Sequence, residues 1–594
     1  MTFPPDLSPQ DLATYFPRDR QLIKNGVFEL GLVLAGTVSA GSYTAGVLDY
    51  LLEALDAWQR AKENGDPDAP QHEVVISAIG GASGGAINGA IMLRAAGWQF
   101  PHGPVDGNPF YSSWNSGVNL EKLLAPGTDD GVTGFASILK CASIDAQAAA
   151  SIAFTGQPLG TADSPRHRAY LADPLRLIMC VGNLDGLPYT IRMRGETNFS
   201  HDLFSHGDYM RFALSVDNGV PNTPQTRPDE VALASTSNLN WDILRDTALA
   251  TSAFPIAFRS RSLNRPMATT GYRVVAIPGE NYTSEVVQLI PKWDVLSDGE
   301  PNPAVSTFVN VDGGTFNNQP LDLVRTALAG FSARNPRGPN DANRAVIMVD
   351  PFSDPKTLTR PDQGDLIKLA SQIINSLIFQ ARFKPEDIAL AYAEDVYSRF
   401  LISPVGPGPN NQRTVGPDAI AAGALGGFSG FIDRSFLDYD FRLGRFNAYT
   451  FLRQHLALPV ALPPPAGQHN NPIFDPGRWS DDQRNNYAFA NPQDPTDTTV
   501  YLPIIPLMRE LRDNPPQLPP WPRLSALPPY LKGAVETRLQ SVYEQAKAAY
   551  GPSSWLGRVL VNAYLGLAWP FVRGSIRDAA VNSIESSLQA KGLL

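Results

Sequence analysis

The residues best suited to chemistry are a serine between glycines and an aspartate followed by glycines. Gly81-Ala82-Ser83-Gly84-Gly85 fits the pattern G-x-S-x-G. Here a serine stands on a sharp turn between a strand and a helix, and the flanking glycines remove side chains that would clash there. The free N–H groups of the following helix point to where negative charge develops when a carbonyl is attacked. The pattern therefore predicts Ser83 as a nucleophile.

The surroundings of this pattern give it weight, because glycine is common in the chain. With 49 glycines in 594 residues, a chance match somewhere has a probability of roughly 0.2. The match lies where the buried strand EVVISAIGG ends and the apolar helix ASGGAINGAIMLRAA begins, which is where the mechanism requires it. The alternative is a glycine-rich turn that serves packing alone.

A serine hydroxyl needs a base to accept its proton, and Asp312 is the best candidate. It ends the β-rich run STFVNV and precedes Gly313-Gly314. An aspartate at the C-terminal end of a strand lies on the edge where open α/β sheets build their sites. A structural Asp-Gly turn is the competing interpretation. A Ser-His-Asp arrangement would require His455 or His469, and neither lies in a recognisable strand-end loop.

Four segments, in order, resemble the patatin-like phospholipase family. They are LVLAGTVSAGSYTAGVLDYL, GASGGAING, ATSAFPIAF and VDGGTFNNQPLDLV. The resemblance implies a three-layer α/β sandwich with a mainly parallel central sheet, and a lipid or ester substrate. It also implies a Ser–Asp dyad without a catalytic histidine, with Ser83 as nucleophile and Asp312 as base. Neither a metal nor a cofactor is expected, because calcium would require clustered oxygen ligands and the sequence shows none. Residues 426–454 look like a C-terminal region of the larger bacterial members.

The chain departs from the family in its first motif, which usually reads G-G-G-x-R/K-G. Residues 36–41 read GTVSAG here, so two glycines and the basic residue are missing. The resemblance assigns the oxyanion hole to the backbone N–H groups of Gly36, Thr37 and Val38. We expect Thr37 and Val38 to avoid positive φ, because β-branched residues are strained there. Ser39 and Ser42 offer hydroxyl groups as substitute donors.

The predicted elements alternate between strand and helix at the start of the chain, which favours a parallel sheet. The spacing of apolar residues predicts a helix over 241–252, with Asn240 as its cap. Residues 100–133 and 195–230 are predicted to be loops, and 270–305 to hold hairpins. Strands are predicted at 28–36, 73–81, 189–193, 231–234, 307–311 and 345–349, and helical segments at 363–403 and 431–457.

The domain organisation predicted from composition places a catalytic domain with insertions at residues 28–352, after an N-terminal arm at 1–27. A helical extension at 353–460 is expected to pack on this domain. Residues 461–530 are rich in proline, and their apolar residues favour a strap lying on the domain over a free linker. Residues 531–594 are predicted to form C-terminal helices.

Charge and composition exclude some functions and leave others open. The formal net charge is −10, so nothing favours binding to nucleic acid phosphates. The two cysteines, Cys141 and Cys180, predict reduced buried thiols, with one bridge as the alternative. No signal pattern or long apolar stretch is found, so a cytoplasmic location is expected. Peripheral membrane contact through Trp555, Trp569 and Phe571 stays open, as does a protein activator.

Overall fold

A computed structural model gives the fold over most of the chain. It describes residues 24–594 apart from 130, 133, 153–166, 193–199, 216–226, 236, 271–272, 279–283, 290, 293–303, 331–334, 354–375, 377–395, 463–468, 492–495, 497 and 551–554. Within these ranges the architecture is a mixed, mostly parallel sheet with helices on both faces. This confirms the predicted α/β class.

The strands are numbered in chain order. They are β1 (Val27–Leu34), β2 (Glu73–Gly81), β3 (Leu171–Arg192), β4 (Ser200–Ser215), β5 (Glu230–Ala234), β6 (Arg261–Pro266), β7 (Arg273–Pro278), β8 (Ser284–Leu289), β9 (Val305–Asp312), β10 (Arg344–Val349), β11 (Arg399–Ile402), β12 (Val405–Pro407), β13 (Arg413–Val415), β14 (Ala457–Val460), β15 (Phe489–Ala490) and β16 (Val500–Pro503).

The α-helices are numbered in the same way. They are α1 (Gly41–Glu63), α2 (Ser83–Ala95), α3 (Pro109–Asn115), α4 (Leu120–Leu123), α5 (Ala142–Ile152), α6 (Trp241–Thr251), α7 (Leu321–Ala329), α8 (Arg434–Gln454), α9 (Asp481–Tyr487), α10 (Arg509–Arg512), α11 (Leu531–Tyr550) and α12 (Trp555–Ala590).

The central sheet has the order β11-β10-β1-β2-β3-β4-β5, and β9 and β6 continue from the far part of β3. Strands β11, β10, β1, β2 and β3 run parallel to one another. Strand β4 is antiparallel to β3, and so is β9. Strands β1 and β2 are almost entirely buried, as expected for a parallel sheet covered on both faces. Their C-terminal ends therefore lie side by side.

The register of the sheet places the end of β9 next to the end of β2. Gly81 in β2 pairs with Met179 in β3, and Asp312 in β9 pairs with Val181, two residues further along β3. Because β3 continues past the end of β2, the antiparallel strand β9 can pair with the part of β3 that extends beyond β2. Asp312 therefore reaches the carboxyl edge of the sheet at the end of an antiparallel strand.

Several predicted elements are confirmed, among them β2, α6, the β7–β8 hairpin and the helix within 431–457. The loop predicted over 195–230 is wrong for residues 200–215, which form β4. Its polar residues include Asp208 and Arg211, which are buried in ion pairs, so the strand shows no regular alternation of apolar and polar residues. Asn240 precedes α6 but does not cap it, because its side chain donates to the Ala232 carbonyl instead. Residues 399–402, predicted as helical, form strand β11, and 363–375 and 377–395 lie outside the described residues.

The proline-rich segment packs on the sheet domain, as the strap interpretation expects. The Trp479 indole is 1% exposed and donates a hydrogen bond to His72 Nδ1 at 3.1 Å. The other ring nitrogen of His72 bonds the Ile504 carbonyl at 2.8 Å. Burial lowers the pKa of His72 to about 3, so this side chain is neutral and serves the packing of the strap.

The last two helices, α11 and α12, pack against each other. Trp569 stacks on Tyr543 with ring centroids 4.3 Å apart, and its indole N–H donates to Gln540 Oε1 at 2.7 Å. Trp569 is thus used for packing, while the side chains of Trp555 and Phe571 lie outside the described ones. Within the described ranges, no helix is long and apolar enough to cross a bilayer.

Candidate active site

Ser83 stands at the junction of β2 and α2, in a strained backbone conformation. Its φ of 51° lies in the left-handed region that L-residues rarely adopt, and its side chain is 6% exposed. The Thr251 hydroxyl accepts the Ser83 N–H at 2.9 Å and donates to the Cys180 carbonyl at 2.5 Å. Thr251 therefore ties the turn to β3, which fixes a conformation that would otherwise relax.

Glycines on both sides allow the close approaches that this turn requires. A Cβ on Gly85 would overlap the backbone carbonyls that end β1, and one on Gly81 would lie 2.8 Å from the Ala86 nitrogen. A Cβ on Gly313 would overlap the Cys180 carbonyl, and one on Gly314 would lie 3.0 Å from Asp312 Oδ1. Larger residues at these four positions would separate the turns that meet at the site.

The Ser83 side chain faces the Asp312 carboxyl group and acts to lower its pKa. Asp312 is 3% exposed, and its Oδ1 accepts the Gly314 N–H at 2.7 Å. Burial raises the pKa of Asp312 to about 6, and the interactions with Ser83 and Gly314 partly oppose this rise. The carboxyl group is therefore a stronger base than an exposed aspartate and is still largely ionised at neutral pH.

The turn of residues 36–40 follows β1 and lies against the Ser83 turn. A Cβ on Gly36 would lie 3.1 Å from Ser83 Cβ, so the backbone of this turn borders the serine. Within the described part of the chain, the N–H groups of Gly36, Thr37 and Val38 donate to no backbone carbonyl. Free N–H groups beside a serine are what an oxyanion hole requires.

The expectation that Thr37 and Val38 both avoid positive φ is wrong for Val38. Thr37 has a negative φ of −141°, but Val38 has a φ of 49°. The turn keeps the path that a glycine-rich loop allows, and a valine takes the left-handed position at a cost of order 1–3 kcal/mol. Packing from elsewhere in the fold must offset this strain.

The expectation that Ser39 and Ser42 offer substitute oxyanion donors is also wrong. Both side chains are fully buried. The Ser39 hydroxyl donates to the Gly427 carbonyl and accepts the Gly430 N–H at 3.1 Å. The Ser42 hydroxyl donates to the Leu437 carbonyl at 2.6 Å. Each hydroxyl proton is already used in a bond to the C-terminal part of the chain.

A cavity opens beside Ser83. Its walls come from α2, α3, α5 and α6, together with the loop after α6, and they are mainly apolar. Described residues that line it include Val38, Ile87, Ile91, Trp114, Val118, Ile144, Ile152, Leu249, Phe254, Phe258 and Phe431. No Asp, Glu, Lys, Arg or His side chain is among these lining residues. The cavity therefore suits a hydrocarbon chain.

The structure adds three features that sequence reasoning did not place at the site. The first is Thr251, within the quoted segment ATSAFPIAF, and the second is Asn318, within VDGGTFNNQPLDLV. Asn318 Oδ1 stands between the two glycine turns, since a Cβ on Gly36 would overlap it and one on Gly314 would lie 2.6 Å from it. The third, residues 421–431, carries no local signal, because only the tertiary fold brings it to the 36–40 turn.

The histidines considered for a triad are engaged elsewhere. His455 follows α8 and contacts Phe451 with ring centroids 6.4 Å apart. His469 is exposed and its Nδ1 lies 3.1 Å from the Asn470 carbonyl. Cys141 and Cys180 are both buried and unbridged, and burial raises the pKa of each thiol.

These features define an α/β protein with a serine-bearing turn at the carboxyl edge of a mainly parallel sheet. The family model for patatin-like phospholipases matches residues 32–325. The chain is also 33% identical, over 539 residues, to the uncharacterized protein y4iI of Sinorhizobium fredii, covering 84% of this chain and 73% of that protein. The chain belongs to the patatin-like phospholipase family.

Proposed function

We propose that the protein is a lipid acyl hydrolase that cleaves carboxylic esters through a Ser83–Asp312 dyad. The observation that carries this proposal is that Ser83 interacts with a buried carboxyl group of raised pKa at the edge of an apolar cavity. Nucleophilic catalysis requires a hydroxyl with a base beside it. Family membership supports the lipid substrate class.

The first half of the reaction forms an acyl-enzyme. Ser83 Oγ attacks the ester carbonyl carbon while its proton passes to Asp312. The oxyanion of the tetrahedral intermediate takes hydrogen bonds from N–H groups of the 36–40 turn, and from Gly84 at the start of α2. The intermediate then collapses, the C–O bond of the ester breaks, and the leaving alcohol takes the proton from Asp312.

The second half releases the acid. A water molecule gives a proton to Asp312 and attacks the acyl-enzyme carbonyl. Collapse of the second intermediate returns the proton to Ser83 Oγ and frees the fatty acid. The cavity beside Ser83 holds the acyl chain in both halves, so we infer a preference for esters of medium or long chains.

Ester hydrolysis by matched variants tests this function. Chain-length series of p-nitrophenyl esters and phosphatidylcholine vesicles serve as substrates. We expect Ser83→Ala and Asp312→Asn to lose at least about 10³-fold in kcat/KM. Asp350→Asn is the control. Asp350 is a buried carboxylate just after β10, and it accepts the N–H of Phe352, two residues further on, at 2.8 Å. Asp312, at the end of β9, accepts the N–H of Gly314 in the same way. Near wild-type rates in folded Ser83→Ala or Asp312→Asn protein would exclude the dyad.

A second candidate function is binding of acyl chains without efficient turnover. The strained Val38 and the absent basic residue in the first motif favour it, since a displaced oxyanion donor costs about 10²–10³ in turnover. Labelling of Ser83 by a fluorophosphonate distinguishes the two. Rapid, stoichiometric labelling supports the hydrolase, and absence of labelling with retained fatty-acid binding supports the binding protein.

A further inference from the structure

The segment of residues 421–431 lies directly over the 36–40 turn, although nearly 400 residues separate them in sequence. A Cβ on Gly427 would lie 3.2 Å from Val38 Cβ and 3.4 Å from the Thr37 carbonyl oxygen. Gly427 itself has a φ of 98°, which only glycine adopts without strain. The two backbones therefore meet through a glycine at the residue that carries the strain of the turn.

Ser39 is the polar link between the two segments. Its buried hydroxyl donates to the Gly427 carbonyl and accepts the Gly430 N–H at 3.1 Å. A Cβ on Gly430 would lie 2.6 Å from Ser39 Oγ, so this contact also requires glycine. The Ser39 side chain, next to Val38, therefore forms hydrogen bonds with two backbone groups of the 421–431 segment.

The 421–431 segment is itself fixed by buried bonds to α8. Asp440 in α8 is fully buried and accepts the N–H groups of Ala421 and Ala422 at 2.7 and 2.9 Å. The Ser429 hydroxyl donates to the Ala421 carbonyl at 2.8 Å and accepts the Ala424 N–H at 3.1 Å. The segment is therefore a rigid support for the turn.

The end of α12 holds the same segment from its outer side. The Leu425 N–H donates to the Ser587 hydroxyl at 3.3 Å. Lys591 binds Asp418 at 2.5 Å and donates to the Pro417 carbonyl at 2.8 Å. Leu588 and Leu593 are fully buried in the core cluster. The end of the chain is thus connected, through one short segment, to the turn beside Ser83.

We propose that Ser39 is a positioning residue, through which the 421–431 segment holds the N–H groups of the 36–40 turn in place for the oxyanion. This inference rests on the proposed function. In this chain the third position of the first motif is a valine, which has no tendency to stay at a φ of 49° unaided. The contacts from the 421–431 segment supply the conformational restraint that the sequence of the turn lacks.

Ser42 gives a matched control for Ser39. It is equally buried, lies three residues away, and also donates to a backbone carbonyl of the extension, that of Leu437 at the start of α8. Its bond joins α1 to α8 and does not touch the turn. Ser39→Ala removes two buried hydrogen bonds between the same two parts of the fold and Ser42→Ala removes one, so the activity of each variant is compared with its own loss of Tm.

The experiment compares Ser39→Ala and Ser42→Ala in the full chain, with a p-nitrophenyl ester and a fluorophosphonate as probes. We expect Ser39→Ala to lower kcat and the rate of Ser83 labelling by about 10-fold or more, with KM within about 2-fold of wild type. Ser42→Ala keeps both rates within about 2-fold. Gly430→Ala, which pushes against the Ser39 hydroxyl, reproduces the Ser39→Ala effect and replaces it if that variant does not fold.

The outcomes separate this inference from the proposed function. Wild-type protein without Ser83-dependent hydrolysis would overturn both. If the wild type is active and Ser39→Ala, Gly430→Ala and Ser42→Ala lose activity only in proportion to their loss of Tm, the positioning role of Ser39 is wrong and the dyad stands. A fall in kcat specific to Ser39→Ala and Gly430→Ala supports the role.

Discussion

Two turns meet at the candidate site, and each holds an L-residue in the left-handed region. Ser83, in the turn after β2, has a φ of 51°, and Val38, in the turn after β1, has a φ of 49°. The first turn matches the family pattern and is surrounded by glycines. The second departs from it and carries a β-branched residue where the family has glycine.

The difference lies in how each turn is restrained. The Ser83 turn is held within the sheet domain, by the strand–helix junction and by the hydroxyl of Thr251, at the end of α6, on its N–H. The Val38 turn is held from far along the chain, through Ser39 and Gly427. Strained residues persist only where the surroundings fix them. A motif can therefore lose its glycines when another part of the fold takes over the restraint.

Among the changes that test how the two turns meet, Gly84→Ala is expected to have the largest effect, because Gly84 lies between them. A Cβ there would overlap the Thr37 hydroxyl and lie 3.1 Å from the Val38 carbonyl oxygen. We expect kcat to fall about 10²-fold, since a displacement of about 1 Å at a reacting centre costs that much. Gly89→Ala is the control in the same helix, as its Cβ meets only flexible side chains. Equal kcat in the two variants would show that the turns need not touch.

The pH dependence of activity tests the turn at Ser83 separately, through the ionisation of its proposed base, Asp312. Asp312 must be ionised to accept a proton, and its pKa is about 6. We therefore expect kcat/KM to fall on the acid side with a midpoint near pH 6, and to be about 10-fold lower at pH 5 than at pH 8. A profile that stays flat down to pH 4.5 would contradict a buried aspartate base.

The same carboxyl group predicts a stability change of known sign. Its folded pKa is raised above the ordinary 3.8, to about 6, so its contribution is present below pH 3.8 and is lost as pH rises through 6. Asp312→Asn removes an ionised buried carboxylate at pH 8. We expect it to raise the free energy of unfolding there, on the order of 1–3 kcal/mol, and to give no gain at pH 3.5. Thermal melts at both pH values measure this.

The smallest expected effect is a difference in stability between two variants of Val38, in which glycine is more stable than alanine. Glycine normally lowers stability relative to alanine by roughly 0.5–1 kcal/mol. At a φ of 49° we expect Val38→Gly to be more stable than Val38→Ala by about 1 kcal/mol, with kcat unchanged or higher. Urea denaturation of the two variants measures the difference. Alanine as the more stable residue would mean that the turn is not strained in solution.

The sequence predicted those parts of the site that depend on local pattern. Glycine spacing and a buried strand located the turn at Ser83, and ordered motifs located Asp312. The antiparallel approach of β9 could not be predicted, because it depends on β3 extending past β2. The strain at Val38 was not foreseen either, since its restraint lies at Gly427. The prediction that Ser39 and Ser42 donate to the oxyanion was wrong for the same reason, because tertiary packing sets the partners of both hydroxyls.

The most direct test of the Ser83–Asp312 dyad is capture of the acyl-enzyme. Wild-type protein is mixed with excess p-nitrophenyl decanoate, quenched in acid within the first turnovers, digested and analysed by mass spectrometry. We expect a decanoyl adduct on Ser83 and a burst of p-nitrophenol equal to the enzyme concentration, and neither of them in Ser83→Ala. Steady hydrolysis without a Ser83 adduct, or an adduct on another residue that survives Ser83→Ala, would contradict it.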